Sequence, residues 1–283
     1  MLNPTPLDRA ETARLLQGIL IPPQPRALLE VLTEHRKADP DLIRIAKSIS
    51  TDVGMSAALL KAANSPAFGG NTRVTNIQQA VSRLGLRTTV SLVKGLALRM
   101  AMSGPKLSME QFWETAGDTA TVCSLLARRF RVMPADEAHM LGLFHDCGIP
   151  LLMQRFPNYG QVLQEASHNL DRTLVAVEEA ALRTNHAVVA YLVARAWQLP
   201  ETVLLVIREH HNETLLIETQ DPLAERIALL MLAEHLVHLF LRATEDHTWE
   251  RTGSRVLTLL GLSDHEFEDL KEDVAEWLTV PAD

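Results

Sequence analysis

Only two cysteines occur in the 283 residues, Cys123 and Cys147, and they stand apart. The chain therefore carries neither a disulfide framework nor a paired thiolate clip, and this usage fits a reducing cytoplasm, which is the expected location. Uninterrupted apolar runs are also missing. The most apolar window, Ile227 to Leu241, is broken by Glu234, His235 and His238, short of the run of about 18 residues that a membrane span needs. The first residues lack a basic segment followed by an apolar one, so no signal peptide is expected. Positive charge is the minority sign: 27 Lys and Arg against 35 Asp and Glu leave a net charge of −8, which argues against a protein that coats nucleic acid. No repeat of fixed period occurs, and no stretch alternates Val, Ile and Thr as a strand would.

What is present is helical signal. Apolar residues recur at spacings of three and four nearly throughout, so the expected fold class is all-α, a multi-helix bundle. Asp39-Pro40-Asp41 reads as a cap on Asp39 followed by a first-turn proline, and Ser263-Asp264-His265-Glu266 has the form of a capping box. Prolines 22, 23 and 25 hold an extended lead-in to a helix with Leu28, Val31 and Leu32 on one face. The segment Asn64 to Asn71 interrupts helicity with a proline and two glycines, and Asn64 and Ser65 are given a structural role there. Ser103-Gly104-Pro105 is the expected boundary between an N-terminal helical lobe, 1–104, and a second helical lobe, 105–283. Beyond it, helices are expected over Ser108–Arg131, Ala135–Met153, Asn158–Ser167, Leu174–Thr184, His186–Trp197, Glu201–His211, Pro222–Leu241, Arg251–Leu260 and Asp264–Leu278.

The most specific chemical feature is Phe144-His145-Asp146-Cys147-Gly148, an adjacent imidazole and carboxylate followed by a glycine that permits a turn. Such a pair suits a divalent metal of intermediate hardness. His186 opens another helix after Asn185, and His210-His211 close a third, so three helices present imidazoles near their ends. The plain alternative is that each ring bonds a carbonyl of its own helix end, where the dipole also favours a cation. Trp113 and Trp197 read as core aromatics, Arg128, Arg129 and Arg131 as a solvated basic helix end, and Cys147 as a small buried hydrophobe.

In this order, the Pro22-Pro23-Gln24-Pro25 lead-in, Asp52, Asn64-Ser65, Ile77 to Gly85, Trp113, the His145-Asp146 block, His186, Trp197 to Pro200 and His210-His211 resemble the HDOD family, a relative of HD-domain metal-dependent phosphohydrolases. The resemblance spans about residues 18 to 240 and implies an HD-like helical lobe with the N-terminal lobe packed on it. It also implies departures. Active HD phosphohydrolases place a histidine where Thr115 stands here, and their final aspartate falls at Glu234. The surviving ligand candidates are His145, Asp146, His186, His210, His211 and Glu234, a vestigial site with no cofactor, or at most a weak divalent Zn, Mn, Fe or Mg. By resemblance the chain is expected to be a bacterial signal-transduction output module without hydrolysis. It would meet a signalling protein partner or a nucleotide-type ligand and engage neither membrane nor nucleic acid. The rival expectations are a metal-dependent phosphohydrolase of a nucleotide or cyclic dinucleotide and a non-catalytic sensor of a phosphorylated small molecule.

Overall fold

A computed structural model describes residues 18–65, 67–68, 72–102, 109–168, 172–217, 221–241 and 246–279. Among them no strand occurs, and the architecture is all-α. The segment expected to form the first lobe contains α1 (Arg26–His35), α2 (Leu42–Ser50), α3 (Val53–Asn64) and α4 (Ile77–Met102). The cap of α2 falls on Asp41 rather than Asp39. Asp41 adopts the extended backbone, and its carboxylate accepts the amides of Ile43 and Arg44 at 2.8 and 3.3 Å. Asp52 caps α3 by accepting the amide of Met55 at 2.9 Å. Asn64 has the structural role expected of it: its side chain donates to the carbonyls of Leu60 and Val74 and accepts the amide of Val74. The long α4 is interrupted at Gly85, whose φ of 73° only glycine adopts at no steric cost.

The second lobe follows as α5 (Glu110–Phe130), α6 (Ala135–Phe144), α7 (Gly148–Arg155), α8 (Tyr159–His168), α9 (Leu174–Leu182), α10 (His186–Ala196) and α11 (Glu201–Glu209). After the 3-10 turn Glu213–Ile217 come α12 (Pro222–Phe240), α13 (His247–Leu260) and α14 (Asp264–Thr279). The single helix expected over Ala135–Met153 is two. Pro150 has no amide hydrogen to bond the carbonyl of Asp146 and its ring crowds that carbonyl, so the helix must restart just before it. That break frees His145 to Cys147 from regular structure. α13 begins four residues before the expected Arg251 because Asp246 caps it, accepting the amide of Trp249 at 3.0 Å. The capping box is present: Ser263 and Glu266 bond each other's backbone amides.

One main apolar core runs through the described residues from Ile19 to Val274 and takes in α4 as well as the second lobe. The expected boundary at Ser103-Gly104-Pro105 lies outside them. Polar contacts also join the lobes. Arg87 on α4 pairs with Asp136 and Glu137 at 3.3 and 2.6 Å, and Glu137 accepts the hydroxyl of Thr202 on α11 at 2.8 Å. Two glycines set close backbone approaches. A Cβ on Gly142 would lie 2.7 Å from the Cα of Ala120, so α6 sits directly on α5. On Gly148 it would lie 2.1 Å from the carbonyl oxygen of His186, so the start of α7 abuts the start of α10. Gly148 therefore serves close packing rather than the turn expected of it: its φ is not positive. Among the described residues no helix is long and apolar enough to cross a membrane.

Candidate metal centre

The break between α6 and α7, the first residue of α10, the end of α11 and the middle of α12 meet at one pocket. His145 follows α6 directly, and its Nδ1 donates to the carbonyl of Gly142 at 2.9 Å. His210 does the same at the end of α11, donating to the carbonyl of Ile207 at 2.7 Å. Asn185 caps α10 through the amide of Val188, so His186 starts the helix with its ring turned inward, and its Nδ1 donates to Glu178 at 2.7 Å. A ring whose Nδ1 is committed as a donor has Nε2 left to offer, as a lone pair when the ring is neutral and as an N–H when it is protonated. The local carbonyl bonds foreseen as the plain alternative are thus the bonds that aim the other nitrogen into the pocket.

The Nε2 atoms gather around Asp146. His186 Nε2 and His210 Nε2 lie 3.3 and 3.5 Å from Asp146 Oδ1, and His211 Nε2 lies 2.9 Å from His186 Nε2. Asp146 Oδ1 and His210 Nε2 are buried, and neither makes a hydrogen bond. On the other side, His145 Nε2 lies 3.4 Å from Asp146 Oδ2 and 3.1 Å from Glu234 Oε1. Two donor sets result: Asp146, His186, His210 and His211; and His145, Asp146 and Glu234, each with its ligand atoms within 4.8 Å of one another. All six residues singled out in the sequence come together. Thr115 is here too, lining a cavity of about 330 Å³ with Thr119, His145, Asp146, Glu234 and His238. A second cleft of about 190 Å³ reaches His210 and His211.

Charge preferences reflect this crowding. Burial opposes charge on His145, but Asp146 and Glu234 outweigh it and hold its pKa well above the usual histidine range. Burial likewise opposes charge on His186, and the carboxylates of Asp146 and Glu178 raise it to about 9. His211 is pushed well below its ordinary value by burial and then by His210 and His186. Burial would raise Asp146, yet the imidazoles around it, His145 foremost, hold it well below the carboxylate range.

Sequence reasoning missed the support beneath His186. Glu178 is wholly buried on α9 and also accepts the amide of His186 at 3.0 Å, while the hydroxyl of Tyr159 donates to its other oxygen. The available signal was slight: of the adjacent Glu178 and Glu179, Glu178 follows the apolar run Leu174–Val177 and precedes Asn185-His186 by one helical turn and a connection. The donors fit a divalent ion: three imidazoles and a carboxylate match Zn²⁺, Fe²⁺ or Mn²⁺ better than Mg²⁺, and the buried unbonded Oδ1 and Nε2 are atoms that such an ion would satisfy.

The sequence profile of the HDOD domain matches residues 21–213. An uncharacterized protein of Treponema pallidum (strain Nichols) is 30% identical over 210 residues, which are 74% of this chain and 41% of that protein, so the chain spans less than half of its relative. A protein of Shewanella amazonensis SB2B, provisionally named a phosphohydrolase, has a similar structure at a TM-score of 0.70 and 23% identity, covering 93% of this chain and 94% of its own. An HDOD domain protein of unknown function from Geobacter sulfurreducens aligns at a TM-score of 0.69 and 22% identity, covering 94% of each chain. At such identities the two structures speak for the shared fold. The profile match, which covers well over half of the chain, and the Treponema relative together establish that this chain belongs to the HDOD family.

Proposed function

We propose that this HDOD chain is a signal-transduction output module whose pocket holds one divalent transition-metal ion and hydrolyses no phosphoester. The observation that supports it most is the convergence of His186, His210 and His211 on Asp146 Oδ1, with the Nδ1 atoms of His186 and His210 already committed elsewhere. Where the sequence led to a weak or absent metal, this geometry supports a firmly held one, because the substitution at Thr115 falls on the cavity lined by the other donor set. That second set keeps only His145, Asp146 and Glu234. Hydrolysis by a pair of ions needs both sites filled.

In this reading His186, His210, His211 and Asp146 bind the ion. An ion there supplies Lewis acidity and a fixed point for an anionic oxygen. Thr115 and Thr119 line the adjoining cavity with hydroxyls in place of a further ligand. The link from pocket to surface runs through α11, which ends in His210 and is tied by Thr202 and Glu137 to Arg87 of the first lobe. Occupancy at one end of α11 and the seating of the first lobe at the other bear on the same helix, as a module read by a protein partner requires.

Hydrolysis of a nucleotide or cyclic dinucleotide is the second reading, favoured by Asp146, whose two oxygens face the two donor sets. Metal analysis of the purified chain, with a screen against phosphomonoesters and cyclic dinucleotides in added Mn²⁺ or Mg²⁺, decides. About one ion per chain without turnover is expected; turnover abolished by Asp146→Asn would establish the second reading.

A further inference from the structure

We infer that Glu178 is the positioning residue of the metal centre, orienting His186 as its anchoring ligand, and that the Tyr159 hydroxyl holds Glu178 in turn; the inference rests on reading the pocket as a metal site. Glu178 has no surface exposure, and the groups that reach it are all donors. Its Oε2 accepts both the ring Nδ1–H and the backbone N–H of His186, at 2.7 and 3.0 Å, and its Oε1 accepts the hydroxyl of Tyr159, which is 1% exposed. Two bonds from one oxygen to the ring and the main chain of the same residue restrain rotation of that ring. The result fixes where Nε2 points. No lysine or arginine pairs with Glu178 among the described ion pairs, whose sole partner for it is His186.

The three imidazoles committed at Nδ1 are not equivalent. His145 and His210 lean on neutral carbonyls, of Gly142 and Ile207, whereas His186 leans on a carboxylate. A carboxylate behind the ring makes Nε2 the more basic ligand and fixes its tautomer. Burying a carboxylate away from solvent is costly unless its bonds are complete, so the wholly buried place of Glu178, next to an exposed Glu179, calls for a return beyond packing. Glu178→Gln keeps the shape and removes the charge: its amide oxygen can still accept both N–H groups of His186 while its N–H₂ faces the Tyr159 hydroxyl oxygen, so the substitution isolates the effect of the carboxylate's charge on Nε2.

The test uses the full chain stripped of metal and titrated with Co²⁺ against a chromophoric chelator, with the visible spectrum of bound Co²⁺ recorded. Glu178→Gln should weaken Co²⁺ binding by about 10- to 100-fold and change that spectrum, and Tyr159→Phe should weaken it by about threefold. Binding and spectrum unchanged in Glu178→Gln, with melting of the metal-free protein lowered, would overturn the inference and leave Glu178 as a tie between α9 and α10. Should Glu178→Gln not fold, Tyr159→Phe decides: a measurable loss of affinity sustains the inference, and wild-type affinity overturns it. If the wild-type chain binds no Co²⁺, the metal reading itself falls and takes this inference with it; normal wild-type binding with indifferent variants overturns this inference alone.

Discussion

Two histidine neighbourhoods adjoin α12, and they use the same residue types to opposite ends. In the pocket, His145, His186 and His210 commit Nδ1 to an acceptor and leave Nε2 facing other ligand atoms. In the other neighbourhood, His235 gives its Nδ1 to Asp246 at 2.8 Å but lays its ring flat against Trp249, 4.0 Å away and 4° from parallel, with Phe267 stacked beyond. There the imidazole is an aromatic core residue with a polar handle. What separates a ligand from a packing residue is therefore the surroundings of the second nitrogen. A carboxylate partner occurs in both places.

Removing the ion breaks this comparison most forcefully. If the pocket is filled at a free ion concentration about 1,000 times Kd, the native state gains about 4 kcal/mol, and at about 2–4 °C per kcal/mol a chelator should lower Tm by on the order of 10 °C. Calorimetry with and without chelator checks this, and Asp146→Asn should abolish the difference. Next in size is Gly148→Ala. Its methyl would meet the His186 carbonyl at 2.1 Å, so a loss of about 3 kcal/mol in urea denaturation is expected, together with weaker metal binding.

His139 provides a third kind of neighbourhood, with a buried Nδ1 lacking a partner and the ring edge-on to Phe68. Burial pushes its pKa down to about 4. The unfolded chain takes up a proton below about pH 6.5 while the folded one does not until about 4, so this contribution to stability is complete above that window and lost as pH falls through it. Between pH 7 and 4.5 wild type should lose about 1–2 kcal/mol more than His139→Gln, a discount from the full shift because the ring is only half-buried. The smallest effect is reserved for His235→Phe. Stacking survives and only the bond to Asp246 goes, so a cost of about 1 kcal/mol with unchanged metal content is expected. Loss of metal in that variant would erase the distinction between the two neighbourhoods.

Helices were legible wherever period and caps agreed, as at Asp52, Asn185 and the Ser263–Glu266 box. At the α6–α7 break the apolar period runs on past Pro150, so period alone predicts one helix where the proline enforces two. The four histidines and Asp146 could be nominated from their helix-end positions, since a histidine there must find an acceptor or a cation, whereas Glu234, inside α12, came only from the resemblance to the HD ligand set. Their convergence could not, because it depends on Gly142 and Gly148 allowing backbones to touch, and no local pattern encodes which backbone a glycine meets. Glu178 escaped for a related reason. Its partner lies eight residues on, across a turn, where neither helical nor strand periodicity predicts a contact.

The contact of Gly148 with the His186 carbonyl bears on how such a centre can change over time. It involves main chain on both sides, so the gap between the turn carrying His145 and Asp146 and the start of α10 is set by the thickness of a polypeptide and not by any ligand side chain. Replacing a side chain that lines the cavity, such as Thr115 or Glu234, leaves that main-chain contact untouched. The opening is a frame cut by the backbone, so a substitution at its rim changes which ion suits it before it changes its width.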